Sequence, residues 1–259
     1  MTFNIRRPAD PLAWRRADRW SRRRSRVRAL LAAERPALLC LQEAVPRQMD
    51  DVLAALGPGH RFVGHGRGAG RTGEGCPIIY DARRLELLGW RQLALSDRPD
   101  LAGSRSWGNI MPRIAVSARF RDRATRAALR VVNTHLDPFS ARSRVRSVAY
   151  LRSLVDGGPT VVTGDLNAGG GSRTVRDLLA DDRLVDSWSM ARSRLTARVG
   201  TFADYRTPSP NGARIDRILV SEGIAVDSAA INARRIIGGW PSDHLPVQAV
   251  VRSVGVEAA

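Results

Sequence analysis

Lysine is absent from this chain of 259 residues, and aromatic residues make up only 5% of it. Few aromatics leave few obvious stacking platforms for bases. Cysteine is scarce as well: Cys40 and Cys76 stand alone. Two thiols build neither a disulfide framework nor a zinc-ribbon spacing, and Cys40, inside an apolar run, reads as a small buried hydrophobe. No stretch approaches the roughly 18 apolar residues of a membrane span, and the N-terminus lacks the apolar core of a signal peptide. A soluble, cytoplasmic monomer is therefore expected, or a secreted protein if an upstream start carries a leader. No tandem repeat or linker breaks the chain, so a single domain over 1–259 is expected, with its core at about 2–251.

What is present is arginine. Basic residues number 42 against 25 acidic ones, a formal net charge of +17. Such a field attracts polyanions: nucleic acid, anionic lipid head groups or phosphorylated small molecules. A genome that favours arginine codons accounts for Arg in place of Lys, but not fully for the excess of base over acid. Both explanations stay open. Hydrophobic residues reach 43%, enough for a full core.

The pattern of apolar runs predicts alternating strands and helices. Met1 to Ile5, Ala37 to Leu41, Arg61 to Gly64, Cys76 to Tyr80, Leu85 to Leu95, Arg113 to Phe120, Leu129 to Leu136, Thr160 to Thr163, Arg214 to Val220 and Val247 to Val251 read as strands. Trp14 to Glu34, Pro46 to Leu56 and Ser140 to Val155 read as helices, the second opened by proline and closed by Gly57. The loop from Gly64 to Gly75 carries six glycines, but no GK[ST] follows it. It reads as a flexible hairpin connection, not a phosphate cradle. His60 and His65 read as loop residues.

Polar residues recur where the apolar strands stop: Asn4, Glu43, His135, Asp165 with Asn167, Asp216, and Asp243 with His244. Strand bodies are buried, so reactive groups collect at strand ends and in the loops beyond. Each residue has a plainer reading. Glu43 could be a solvated cap, His135 a satisfied core histidine, Asp243 and His244 the cap of a strand, and Asp165 with Asn167 an Asx turn. As a set, carboxylate and amide oxygens suit Mg²⁺, Mn²⁺ or Ca²⁺ better than zinc. Cleaving a phosphate ester needs a positioned water, positive charge on the non-bridging oxygens and help for the leaving oxygen. A carboxylate, a metal, an imidazolium and amide N–H groups supply these.

In order along the chain stand Asn4, Leu41–Gln42–Glu43, Asn133–Thr134–His135–Leu136, Gly164–Asp165–Leu166–Asn167, Arg214–Ile215–Asp216 and Ser242–Asp243–His244–Leu245–Pro246. This series resembles the endonuclease/exonuclease/phosphatase superfamily over nearly the whole chain, and among its members the small bacterial metal-dependent hydrolases. The resemblance implies an α/β fold of DNase I type: a four-layer α/β/β/α sandwich of two mixed β-sheets. It implies a metal-dependent hydrolase of phosphodiesters or phosphomonoesters, with nucleic acid, phospholipid or a small phosphorylated metabolite as substrate. Glu43 resembles the principal metal ligand, with Asn4 beside it. Asp165 resembles the residue that orients or deprotonates water, and Asn167 the phosphate-contacting asparagine. His244 resembles the phosphate-binding imidazole, with Asp243 as its carboxylate partner or a further metal contact. His135 resembles the second catalytic histidine, which Glu74 would orient. Arg113 matches a phosphate-contacting position, and Asp216 an aspartate beside His135 or the metal. Phe3 replaces the family's usual Tyr or Trp, and Arg217 stands where a Tyr often follows the aspartate. A protein of another class, binding nucleic acid or anionic lipid without turnover, would be expected to lack part of this set, and none is missing.

Overall fold

Alternating runs of β-branched and polar residues make two sheets, and amphipathic helices close their outer faces. The computed structural model describes residues 1–8, 15–155 and 157–254. The chain opens with β1 (Thr2–Asn4), a short 3-10 turn (Arg16–Asp18), α1 (Trp20–Glu34), β2 (Leu38–Gln42), α2 (Pro46–Leu56), β3 (His60–Val63) and β4 (Ile78–Asp81). Next come β5 (Leu85–Ala94), β6 (Ile114–Asp122), β7 (Ala128–His135), α3 (Ala141–Ser153), β8 (Thr160–Asp165) and α4 (Arg173–Leu178). The tail contributes β9 (Val185–Asp186), α5 (Ser187–Met190), β10 (Ser193–Arg194), β11 (Asp216–Val220), β12 (Ile224–Ile231) and β13 (Val247–Ser253).

One sheet has seven strands in the order β10-β12-β13-β1-β2-β4-β3, the other six in the order β5-β6-β7-β8-β11-β9. Both are mixed: β1 runs parallel to β2 and β7 parallel to β8, while most other pairs are antiparallel. Four apolar clusters give the layers. Val27, Leu30 and Leu31 of α1 and Val52 and Leu56 of α2 pack on Phe3, Leu39 and Leu41. Val148 and Leu151 of α3 and Val175 and Leu178 of α4 pack on Val132, Val162 and Leu219. Between the sheets, Cys40, Ile78 and Tyr80 meet Val116, Phe120 and Val131, and Val161 and Ile218 meet Ile231 and Val247. The result is the expected α/β/β/α sandwich.

A polar bridge crosses this apolar interior just beneath the strand ends. Gln42 Nε2 donates to Asn133 Oδ1 at 2.7 Å, and Asn133 Nδ2 donates to Leu41 O at 2.8 Å. Buried amides demand partners; Gln42 Nε2 and the Asn133 side chain find theirs across the two sheets, while Gln42 Oε1 has none, so the bridge sets the height of β2 against β7. Gly164 allows a second close approach: a Cβ there would lie 2.1 Å from Thr134 O. That glycine keeps Asp165 level with His135, its register partner across the parallel pair.

The helix expected from Trp14 begins at Trp20. Trp14 lies outside the described residues, and Arg19 is extended (φ −67, ψ 124), separating α1 from the 3-10 turn. Asp18 faces inward, where it accepts from Arg6 Nε at 3.1 Å and Tyr205 Oη at 3.0 Å. α2 matches its expected bounds, with Pro46 at its first position and Gly57 at φ 91 as its C-cap. His60, expected in a loop, lies within β3 and is buried. α4, α5, β9, β10 and β12 lie in stretches where no element was expected. Short length and small residues, as in Ile224–Ile231, hide their periodicity.

Candidate active site

Parallel neighbours β1 and β2 end at the same level, which puts Asn4 beside Glu43. Parallel β7 and β8 do likewise for His135 and Asp165, and antiparallel β11 begins opposite Asp165 with Asp216. His244 follows the loop into β13 and bridges to Phe202. Six of the sequence-expected residues thus converge at one pole of the sandwich.

Asp165 is the centre. Its Oδ2 accepts from Asn4 Nδ2 at 3.1 Å and faces His135 Nε2 at 3.5 Å and His244 Nε2 at 3.7 Å. Its Oδ1 accepts from Asn167 N–H at 2.9 Å, so the Asx turn allowed by the sequence is present. It holds the carboxylate still. Burial, then the neighbouring Asp216 charge, push the Asp165 pKa up. Asn167 adopts φ 48 and donates its side chain to Leu136 O at 2.9 Å, tying the ends of β7 and β8 together.

The two imidazoles are tuned in opposite directions. Burial moves His135 down to about 4, leaving it neutral. Burial also opposes charge on His244, but Asp216 and Asp165 outweigh it and push that ring up to about 10. The decisive contact is His244 Nδ1 with Asp216 Oδ2 at 2.9 Å. Asp216, not Asp243, is therefore the carboxylate partner of His244, and it lies beside His244 instead of His135. The antiparallel register of β11 on β8 aims Asp216 into the site. Asp243 turns the other way, accepting from Ser242 Oγ at 3.0 Å and facing Arg6 Nε at 3.5 Å.

Glu43 adopts φ 58, in the left-handed region that costs a non-glycine residue strain. Burial alone would raise its pKa. His135, the Arg7 N–H, Arg6 and Asn4 overcome this and hold it down at about 2. Asn4 stands beside Glu43 as expected, yet as a donor. Its amide bridges Glu43 Oε1 and Asp165 Oδ2, both at 3.1 Å, while its oxygen accepts from Arg6 N–H at 3.0 Å.

Glu74 and Arg113 reach the site by another route. Glu74 is ion-paired with Arg67, not poised to orient His135. Arg113 Nε pairs with Asp137 Oδ2 at 3.3 Å, and both side chains are buried. Arg6, Arg67, Asp137 and Phe202 were missed by sequence reasoning. Phe202 stacks edge-on against His244 with ring centroids 5.0 Å apart. Arg6 and Arg67 are hidden among many arginines, and only their nearness to Asn4 and Glu74 in sequence could have marked them.

The oxygen-rich donor set fits a hard divalent cation. Asp216 Oδ1 is buried without a hydrogen-bond partner, and among the described residues Asp165, Asp216 and His244 bring ligand atoms within 4.8 Å of one another.

Residues 1–244 match the endonuclease/exonuclease/phosphatase family. The chain belongs to that family. Its members hydrolyse phosphoester bonds. A mannosyl-6-phosphatase of Bacteroides thetaiotaomicron has a similar structure, with TM-score 0.90, 25% identity, and 97% of this chain and 98% of that one covered. A family protein of Bacteroides vulgatus reaches TM-score 0.88 at 30% identity, covering 98% of this chain and 97% of that one. The Drosophila melanogaster protein angel is 29% identical over 193 residues, 70% of this chain and 51% of that protein. The chain thus spans about half the length of that curated relative. Among the described residues, no helix is long and apolar enough to cross a membrane.

Proposed function

We propose that this protein is a divalent-metal-dependent phosphoesterase that hydrolyses a P–O ester bond by attack of water activated at Asp165. The observation that carries this reading is the buried Asp165 carboxylate facing His135 Nε2 at 3.5 Å and His244 Nε2 at 3.7 Å, with Asp216 against the far nitrogen of His244 at 2.9 Å. Groups driven apart in pKa mark an acid–base site.

Asp165, raised by burial and Asp216, takes a proton from the attacking water. The water oxygen bonds to phosphorus, the ester P–O bond breaks, and the proton ends on the leaving oxygen. His244, held as an imidazolium by Asp216, donates to a phosphoryl oxygen and offsets the charge that develops there. His135, neutral at pH 7, orients the water without adding charge. Asn167 secures Asp165 by its backbone N–H. Glu43, which faces the same Arg6 guanidinium as Asp243, would hold Mg²⁺ or Mn²⁺, and the bound ion would polarise the phosphoryl group. Asn4 keeps Glu43 and Asp165 at fixed separation. The mannosyl-6-phosphatase name of the Bacteroides thetaiotaomicron relative supports an ester hydrolase of this kind. Nucleic acid and phospholipid remain within the panel because of the +17 charge.

The test is turnover of p-nitrophenyl phosphate, bis-p-nitrophenyl phosphate, DNA, RNA and sphingomyelin with EDTA, Mg²⁺, Mn²⁺ or Ca²⁺. Metal-dependent turnover lost in Asp165→Asn and His244→Ala is the expected result. A folded protein inactive on every substrate with every metal would overturn the reading.

A further inference from the structure

Asp216 opens β11 of the six-stranded sheet, and His244 stands just before β13 of the seven-stranded one, yet their side chains meet at 2.9 Å. Little else fixes that carboxylate. Asp216 Oδ1 is buried without a hydrogen-bond partner, so the place of the side chain follows from its main chain. What holds the two main chains at this separation lies outside both strands.

Residues 201–204 grip both. Thr201 Oγ1 accepts from Ile215 N–H and from Asp216 N–H, each at 3.0 Å. Thr201 N–H donates to Ala213 O at 3.1 Å. On the other side, Leu245 N–H donates to Thr201 O at 2.7 Å. Ala203 N–H and Asp204 N–H then donate to Asp243 O at 2.8 Å and 2.9 Å. One residue thus bonds to the main chain of Asp216 itself and to that of the residue after His244, across the two sheets. A pair of glycines permits the approach: a Cβ on Gly200 would lie 2.8 Å from Gly212 Cα, in the chain that leads to Ala213.

The hydroxyl is what makes the grip specific. Thr201 is 0% exposed, so water cannot stand in for it. Its oxygen spends both lone pairs on the two N–H groups. Valine has the same shape and no acceptor, and would leave two buried donors unpaired. Relieving them requires the start of β11 to move or water to enter, and either displaces Asp216 from His244. Serine keeps the acceptor and loses only a methyl group. We infer that Thr201 is a positioning residue, which holds Asp216 and His244 at contact distance by bonding the main chains of both sheets. Its effect on turnover rests on the phosphoesterase reading above, whereas the contact it sets does not.

The experiment compares the wild type, Thr201→Val and Thr201→Ser on p-nitrophenyl phosphate and bis-p-nitrophenyl phosphate with Mg²⁺ or Mn²⁺. Thr201→Val should lose about a hundredfold in kcat, the scale of a misplacement of about 1 Å. KM should stay within about twofold, because a residue out of reach of substrate contributes no ground-state binding. Thr201→Ser should recover most of kcat. A second readout needs no turnover. Proton NMR of the metal-free protein should show a downfield imidazole N–H signal from the His244–Asp216 hydrogen bond, assigned by its absence in His244→Ala. That signal should persist in Thr201→Ser and be lost or moved in Thr201→Val. If Thr201→Val unfolds, Thr201→Ala, which removes the acceptor without adding a methyl group, takes its place. An unmoved signal in the folded variant that lacks the acceptor overturns the proposal whatever its kcat, as does a loss that Thr201→Ser repeats in full. A wild type that turns over neither ester, with an N–H signal that depends on the Thr201 hydroxyl, would instead overturn the hydrolase reading and leave the positioning role standing.

Discussion

His244 Nδ1 lies 2.9 Å from Asp216 Oδ2, although the two residues are 28 positions apart. This contact sets the charge of the site, since it keeps one imidazole cationic against the cost of burial.

Replacing Asp216 by Asn is expected to discharge His244. In metal-free protein the His244 ring should stay protonated at pH 8 and titrate near 10. Its raised pKa contributes stability that is complete below the unfolded value of 6.5 and lost as pH rises through about 10. In Asp216→Asn the midpoint should fall, because burial then faces weaker opposition. Imidazole ¹⁵N chemical shifts followed through a pH titration measure it, and an unmoved midpoint would contradict the assigned partner.

His135 has the opposite sign. Its folded pKa of about 4 lies below the unfolded value of 6.5. The associated stability is present above 6.5 and is lost as pH falls through about 4. Urea unfolding between pH 4 and pH 7 should show this slope in the wild type and a shallower one in His135→Phe.

Asp165→Asn keeps the shape of the carboxylate and removes its basicity. Turnover should fall about a hundred- to ten-thousandfold while the fold survives, as for loss of a general base. Stopped-time assays beside circular dichroism measure both. Near wild-type kcat would assign the base elsewhere.

Glu43→Gln removes a carboxylate charge that the Arg7 N–H, Arg6 and Asn4 favour. Binding of Mn²⁺ by calorimetry should weaken by at least about a hundredfold, more than outer contacts alone supply. Equal affinity in the variant would move the metal to the Asp165–Asp216–His244 cluster.

Arg23 joins two functional segments from behind. It is fully buried and donates to Ile5 O at 2.6 Å, Arg6 O at 2.8 Å and Pro241 O at 3.2 Å. Those carbonyls flank Asn4 on one side and Asp243 on the other. Arg23→Met should cost about 3 kcal/mol, because buried acceptors lose a charged donor. Chemical denaturation measures it, and a change under about 0.5 kcal/mol would make the contacts incidental.

Much of the fold was legible because burial leaves a period in sequence. Ala37 to Leu41 is an unbroken apolar run, and Pro46 with Gly57 brackets an amphipathic stretch. α4, α5 and β12 were not legible: the two helices are only 6 and 4 residues long, and the strand is rich in small residues. Short elements owe their shape to packing more than to propensity. The site divides in the same way. Asn4, Glu43, His135, Asp165, Asn167, Asp216, Asp243 and His244 stand at strand ends in the sequence, so their gathering at one pole could be anticipated.

Partnership could not. Whether Asp216 or Asp243 meets His244 depends on the register of β11 against β8, and register is a property of pairing, not of either strand. Arg67 was one arginine among many, and Arg113 a phosphate-contacting position by resemblance alone, until the glycine loop and the Asp137 contact placed them on one wall beside Glu43. The sequence by itself determined which chemical groups are available and which strands end in them. Only the tertiary structure decided which groups touch, because distance, burial and charge between remote residues exist only once the two sheets are packed.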